Sequence, residues 1–252
     1  MKNKYNFAAL FALALTAALV LNNTTVIAQP PPGSLWYNGD WDNVSGLHNE
    51  RNTTYNIQAS VYDDFNVTGG PGWAVTAVFS DNAAGNSVIT GADWEIRTGI
   101  SEGNAGTLIA SGTTNSPVVT LIECDFQQCI SRVEITGLNV FLPMLPSGQH
   151  YWLNVTPVTV GAGFSYNITT SGAHCVGTPC GNDENAFFNS TYFGAYFTST
   201  ANEGQPYDYS NGVIGTVVPE PTTVALLTCG VGGLLIALRS RRFHSNRKRR
   251  LR

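Results

Sequence analysis

The stretch Trp94-Glu95-Ile96-Arg97 alternates apolar and charged residues, so its apolar side chains share one face of an extended chain and its charged side chains the other. The stretch Tyr151–Val155 has the same period, with Tyr, Leu and Val at its odd positions. A period of two residues is typical of a β-strand with one buried face. These segments predict a sheet that packs against a second layer.

The segment 29–200 has the composition of a β-protein throughout. Thr, Val, Ile, Tyr and Gly are abundant, turn signals such as Asn66–Gly72 recur about every ten residues, and no long stretch has apolar residues at helical spacing. We therefore expect an all-β ectodomain, an antiparallel β-sandwich of jelly-roll type, with an extended leader at Pro30–Gly33 and a linker at Ala201–Val217. The predicted strands are Ile57–Thr68, Trp73–Ser80, Val88–Thr98, Thr107–Gly112, Pro117–Leu121, Ser131–Leu138, His150–Val160, Ala186–Ser190 and Tyr192–Ser199.

The charge of the ectodomain is strongly negative. Residues 29–217 contain 3 arginines, no lysine and 16 acidic residues, a difference of −13, whereas the whole chain has a net charge of −4. An acidic surface of this kind argues against nucleic acid and anionic lipid as partners. It is compatible with solubility in an extracellular matrix or with weak cation binding.

Four cysteines fall in two closely spaced pairs, Cys124 with Cys129 and Cys175 with Cys180. In an exported chain the simplest interpretation is two short-range disulfides with those pairings, although four cysteines allow three connectivities. A metal site built from His174, Cys175 and Cys180 is a weaker alternative. We predict no metal and no cofactor.

The end of the sequence combines three features. The tetrapeptide Val218-Pro219-Glu220-Pro221 precedes an uncharged apolar run, 222–238. A basic tail, 239–252, follows that run and begins with Arg239, Arg241 and Arg242. A helix of 17 residues spans about 25 Å, enough for a thin bilayer, and the basic tail predicts a cytoplasmic C-terminus. We expect a single transmembrane helix; a buried core helix with a solvated basic end is the alternative.

The start of the sequence has the features of a signal peptide at residues 1–28. Lys2 and Lys4 precede the apolar run Phe7–Leu21, and small residues at Val26 and Ala28 suit signal peptidase. A retained N-terminal anchor is the alternative.

The C-terminal arrangement resembles the PEP-CTERM sorting signal of bacterial surface proteins. The resemblance implies that an exosortase, a membrane-embedded cysteine protease-transpeptidase, recognises Pro219, Glu220 and Pro221, cuts nearby and releases or transfers the ectodomain. The stretch Val61–Val67, together with Trp94–Arg97 and His150–Leu153, is similar to a β-sandwich ectodomain found in many PEP-CTERM proteins. It implies the fold but no particular activity.

Candidate binding residues are few. Trp36, Tyr37 and Trp41 lie beside Asn and Asp residues, as in sugar-binding platforms, although core packing of an N-terminal strand is the more frequent explanation of such residues. Asp63 and Asp64 are adjacent and should point to opposite faces of a strand; we expect Asp63 to be exposed and Asp64 to bond loop backbone, with calcium binding left open.

No catalytic residues are predicted, and His48, His150 and His174 are expected to be surface or strand residues. The sequence predicts a non-enzymatic exported protein that crosses the inner membrane and reaches the cell surface or extracellular matrix, with a structural or adhesive role among extracellular polysaccharide. A lectin-like module and a secreted hydrolase are the alternatives. The six Asn-x-Ser/Thr triplets between residues 43 and 191 also allow a glycosylated eukaryotic type I receptor.

Overall fold

The computed structural model describes residues 30–124 and 128–220. The signal peptide, Pro221, the transmembrane helix and the basic tail predicted above lie outside these residues. Within them, no helix is long and apolar enough to cross a membrane. The strands are β1 (Ser34–Tyr37), β2 (Trp41–His48), β3 (Glu50–Asn52), β4 (Ile57–Phe65), β5 (Gly72–Ala84), β6 (Val88–Thr98), β7 (Thr107–Thr114), β8 (Val118–Cys124), β9 (Cys129–Pro143), β10 (Tyr151–Val160), β11 (Ser165–Thr170), β12 (Phe187–Ser190), β13 (Ala195–Ser199) and β14 (Asn211–Val217).

These strands form two sheets of seven strands each, as in a β-sandwich. The first sheet has the order β1-β14-β5-β11-β2, with β9 paired to β5 and β8 paired to β9. The second has the order β13-β12-β4-β3-β10-β6-β7. Strands β3 and β10 run parallel, whereas the other described strand pairs are antiparallel.

The main core lies between the two sheets. Trp94 and Ile96 of β6 are buried in it together with Tyr151 and Leu153 of β10. They pack against residues of β5 in the first sheet, such as Trp73. The period of two therefore identified the inward face correctly, and it leaves the charged residues of β6 on the outer face.

The second sheet splits in its middle. Strands β4 and β10 pair only near Leu153, and β3 then inserts between them. Side-chain amides satisfy the backbone groups exposed by the split: Asn49 Nδ2 donates to Val155 O at 2.8 Å, and Asn154 Nδ2 donates to Val61 O at 2.8 Å. Because buried backbone groups need partners, these amides are required where strand pairing stops.

The predicted linker Ala201–Val217 is wrong in its second half, which forms β14. This strand pairs with β1 on one side and β5 on the other. Its glycines serve close packing: a Cβ at Gly212 would lie 2.2 Å from the Phe79 ring, and one at Gly215 would lie 2.3 Å from Ala74 O. The glycines that made this segment resemble a flexible linker are instead required because neighbouring strands leave no room for a side chain.

Each predicted strand overlaps a strand of the structure, and β6 has the predicted bounds. The prediction omitted five strands: β1, β2, β3, β11 and β14.

Candidate functional site

The proposed sorting box begins directly after β14. Val218 N donates to Gly72 O at 2.9 Å, which ties the first residue of the box to the domain. Pro219 and Glu220 are exposed. Pro221 and the tail arginines Arg239, Arg241 and Arg242 lie outside the described residues. Pro219 and Glu220 are therefore accessible just beyond the end of a strand that is paired on both sides.

Trp36 and Tyr37, which follow the predicted signal peptide, do not form a platform. Trp36 and Tyr37 are completely buried, and Trp36 stacks on Phe65 with 5.3 Å between ring centroids. Trp41 is half-buried and packs beside a small core cluster that includes Ile168. The hypothesis that Trp36 and Tyr37 contact a glycan is wrong because β1 is a core strand, held by β14, with both rings turned inward.

The four cysteines between residues 124 and 180 form the two expected disulfides. Cys124 and Cys129 join β8 to β9, and Cys175 and Cys180 close a loop between β11 and β12. These sulfur atoms are therefore unavailable as thiolate ligands. Within residues 30–124 and 128–220, no group of three or more His, Cys, Asp and Glu side chains could hold a metal ion.

Asp63 and Asp64 point in opposite directions, but both are fully buried, so the expectation that Asp63 is exposed is wrong. Asp63 accepts hydrogen bonds from Asn38 Nδ2 at 2.9 Å and from Tyr209 N at 2.8 Å. It lies inside because it joins the ends of β1 and β14 to β4. Asp64 pairs with Nδ1 of half-buried His150 at 2.5 Å.

A third buried carboxylate, Asp208, lies near Asp63. Its oxygens accept from the backbone N–H groups of three successive residues, 183–185. Burial raises the pKa of Asp208 to about 7. Burial and the nearby charges of Asp208 and Asp64 also raise the pKa of Asp63. The carboxylates of Asp63 and Asp208 hold loops together. The two residues are far apart in the sequence, so their proximity could not be predicted from it.

The prediction that the chain has no catalytic residues overlooked one short pattern. Gly99-Ile100-Ser101-Glu102-Gly103 has the Gly-x-Ser-x-Gly spacing of a hydrolase nucleophile. In the structure it forms the tight turn between the antiparallel strands β6 and β7, where Ser101 and Asn104 exchange backbone hydrogen bonds. A nucleophile elbow joins a strand to a helix, so the context required for that role is missing here.

A groove of about 700 Å³ lies on the outer face of the second sheet, and we call it the outer groove. It lies over the split between β4 and β10. Ser60 and Asn154, both buried, contribute to its polar floor. Thr156 fixes this floor, because its hydroxyl lies 3.0 Å from that of Ser60 and donates to Asn154 Oδ1 at 2.9 Å.

Two ion pairs line the outer groove. Arg51 bonds Asp93 through two nitrogens, at 2.6 and 3.1 Å, and Arg97 Nε bonds Glu95 Oε2 at 2.6 Å. Each carboxylate also accepts a hydrogen bond from a hydroxyl group: Glu95 from Tyr62 at 2.9 Å and Asp93 from Thr113 at 2.7 Å. Two of the three arginines in residues 29–217 thus lie here, and the four charges cancel.

The rim of the groove carries side chains that remain available. Tyr196 is 60% exposed and packs edge-on against Phe197, with 5.3 Å between centroids. The amides of Gln58 and Asn189 are half-buried and make no hydrogen bond within the described part of the chain. The outer groove therefore presents a planar ring and free amide groups beside fixed, neutralised charges.

The alternation of Glu95 and Arg97 predicts one wall of this groove, whereas the hydroxyl of Tyr62 that bonds Glu95 comes from a distant segment. The second ion pair also joins distant residues, Arg51 and Asp93. Comparison of the chain with protein-family models finds no match, and comparisons with curated proteins and with solved structures find none either.

Proposed function

We propose that this chain is an exported protein of the cell surface or extracellular matrix, sorted and cut by an exosortase-type enzyme. The observation that carries the proposal is the position of the box. Pro219 and Glu220 are exposed immediately after the last strand and immediately before the apolar run 222–238. Two prolines prevent the segment from joining the sheet, so it stays extended and accessible.

The delivery route follows from the two ends of the sequence. Signal peptidase removes residues 1–28, and the helix 222–238 holds the ectodomain at the inner membrane with the tail of Arg239, Arg241 and Arg242 inside. Val218 is bonded to the domain, and the predicted transmembrane helix would begin four residues later, so on this proposal the sandwich sits close to the bilayer before cleavage.

The ectodomain itself suits a structural or adhesive role. Its two disulfides fit an oxidising environment, and its strong negative charge favours solubility in a matrix. We propose that the two sheets are connected as a jelly roll. The hydrolase alternative has weaker support, because the carboxylates of Asp93 and Glu95 in the outer groove are each neutralised by an arginine.

A glycosylated eukaryotic receptor is also less well supported. N-glycosylation needs an accessible asparagine, yet Asn52, Asn154 and Asn167 are buried and their amides bond within the protein. Three of the six triplets are therefore closed to modification in the folded domain.

The test is the intact mass and the location of the full chain in its own host. We expect the wild-type product to have lost the helix and basic tail, and the variant Pro219→Ala/Glu220→Ala/Pro221→Ala to remain membrane-bound with both. Glu203→Ala, an exposed acid outside the box, is the matched control and should be processed normally. If wild type and the box variant both keep the tail, the sorting proposal is wrong.

A further inference from the structure

We infer that the outer groove binds a segment of an uncharged polysaccharide, with Tyr196 as a stacking surface and the amides of Gln58 and Asn189 as hydrogen-bonding groups. The inference rests on the proposed function, which places the protein in an extracellular matrix where it would meet polysaccharide. It adds the chemical class of the matrix component and the site that contacts it.

The shape and rigidity of the groove suit a ligand that is recognised in place. Its volume of about 700 Å³ falls within the range of small-ligand sites. The floor is fixed, because Asn154 and Ser60 are buried and bonded into the split of the sheet. Little ordering of the floor is needed on binding, which lowers the entropic cost.

The electrostatics of the groove select an uncharged ligand. Arg51 and Arg97 are each bonded to a carboxylate, so neither guanidinium offers an uncompensated positive charge to an anionic sugar. The negative charge of residues 29–217 would also repel an anionic chain. A cationic ligand would have to compete with the same guanidinium groups.

The free side chains match the chemistry of sugars. A pyranose ring has an apolar face of C–H groups that can pack on an aromatic ring, and its hydroxyl groups both donate and accept hydrogen bonds. Tyr196 supplies the exposed ring, while Gln58 and Asn189 each supply a donor and an acceptor. The split in the sheet places these groups along one depression, so neighbouring sugar units could be contacted together.

The experiment is affinity electrophoresis of the full chain in non-ionic detergent, in gels containing dextran, galactomannan, the neutral polysaccharide fraction of the host matrix or polygalacturonate. We expect retardation by at least one uncharged polymer. Tyr196→Ala should raise the Kd for that polymer roughly two- to tenfold, and Gln58→Ala/Asn189→Ala should raise it by a similar factor.

Tyr192→Ala is the matched control, because Tyr192 is 58% exposed on the connection that leads into β13, the strand of Tyr196, but does not line the groove. Its Kd should equal that of the wild type. The inference is overturned if no uncharged polymer retards the wild type, if Tyr192→Ala and Tyr196→Ala weaken binding equally, or if only polygalacturonate binds. Each of these results leaves the sorting proposal intact, since sorting is measured by mass and location.

Discussion

The buried ion pair between Arg132 and Asp81 should be one of the most sensitive points of the fold. Arg132 bonds Asp81 through two nitrogens, both at 2.7 Å, and both side chains are almost fully buried. The guanidinium lies over the Phe79 ring at 4.2 Å and the Tyr37 ring at 5.2 Å. Ser210 Oγ donates to the same carboxylate at 2.9 Å, so the pair connects β1, β5, β9 and the start of β14.

The substitution Arg132→Gln removes the charge that compensates Asp81. Breaking a buried pair by removing one partner typically costs about 3 to 5 kcal/mol, because the remaining charge stays desolvated. For a domain of this size, about 1 kcal/mol lowers Tm by roughly 2 to 4 °C. We therefore expect Tm to fall by roughly 6 to 20 °C.

Thermal unfolding followed by tryptophan fluorescence measures this shift. Arg51→Gln is the control, since its pair with Asp93 is partly exposed and should contribute at most about 1 kcal/mol. The double variant Arg132→Gln/Asp81→Asn should be less destabilised than the sum of its single variants, because no lone charge is buried. A Tm for Arg132→Gln within 2 °C of the Arg51→Gln value would refute the reasoning.

Two further predictions concern the loops and strands around β14. Because burial raises the pKa of Asp208 from 3.8 to about 7, the folded state holds a proton that the unfolded state has lost between about pH 4 and pH 7. Its contribution to the free energy of unfolding therefore falls as pH rises through that window, and we expect a higher Tm at pH 5 than at pH 8; a higher Tm at pH 8 would contradict this. Gly212→Ala places a methyl group against the Phe79 ring and should cost about 1 to 3 kcal/mol in chemical denaturation, whereas Thr216→Ala, at an exposed position of the same strand, should cost under about 0.5 kcal/mol. If the two variants lose the same free energy of unfolding, the close packing of Gly212 against Phe79 does not limit the residue at this position.

Periodicity identified strands where one face meets the core and the other meets solvent, as in β6. It failed for β14, because this strand passes so close to Phe79 that Gly212 is needed there, and its glycines make the sequence resemble a linker. It also failed for β3, which has three residues and is too short to show a period. Both strands can be explained from their sequences only when the strands that they pair with are known.

The same limit applies to the outer groove. Glu95 and Arg97 lie two residues apart in a stretch that alternates apolar and charged residues, so the sequence predicts that they share one face of the strand. The partner pair joins Arg51 to Asp93 across 42 residues, and the split that forms the floor depends on Asn49 and Asn154, which are 105 residues apart. Pairing of this kind depends on strand register, which a single sequence does not specify.

The boundary between the folded domain and the proposed sorting segment yields a final prediction. Strand β14 ends at Val217, and Val213 within it is completely buried between the sheets. A chain that stops after Glu220 keeps every described strand and the bond from Val218 N to Gly72 O. It should therefore unfold at the same Tm as the full chain.

A chain that stops after Ser210 loses Asn211–Val217, which leaves β1 without a strand partner and removes the partner of β5 along residues 73–80. Loss of a central strand removes buried apolar area and strand hydrogen bonds together, so this chain should show no cooperative unfolding transition. Circular dichroism and thermal scans of the two truncations distinguish the cases. If truncation after Glu220 lowers Tm by more than about 5 °C, on the order of 1 to 2 kcal/mol, residues beyond Glu220 stabilise the domain and exosortase cleavage would weaken it.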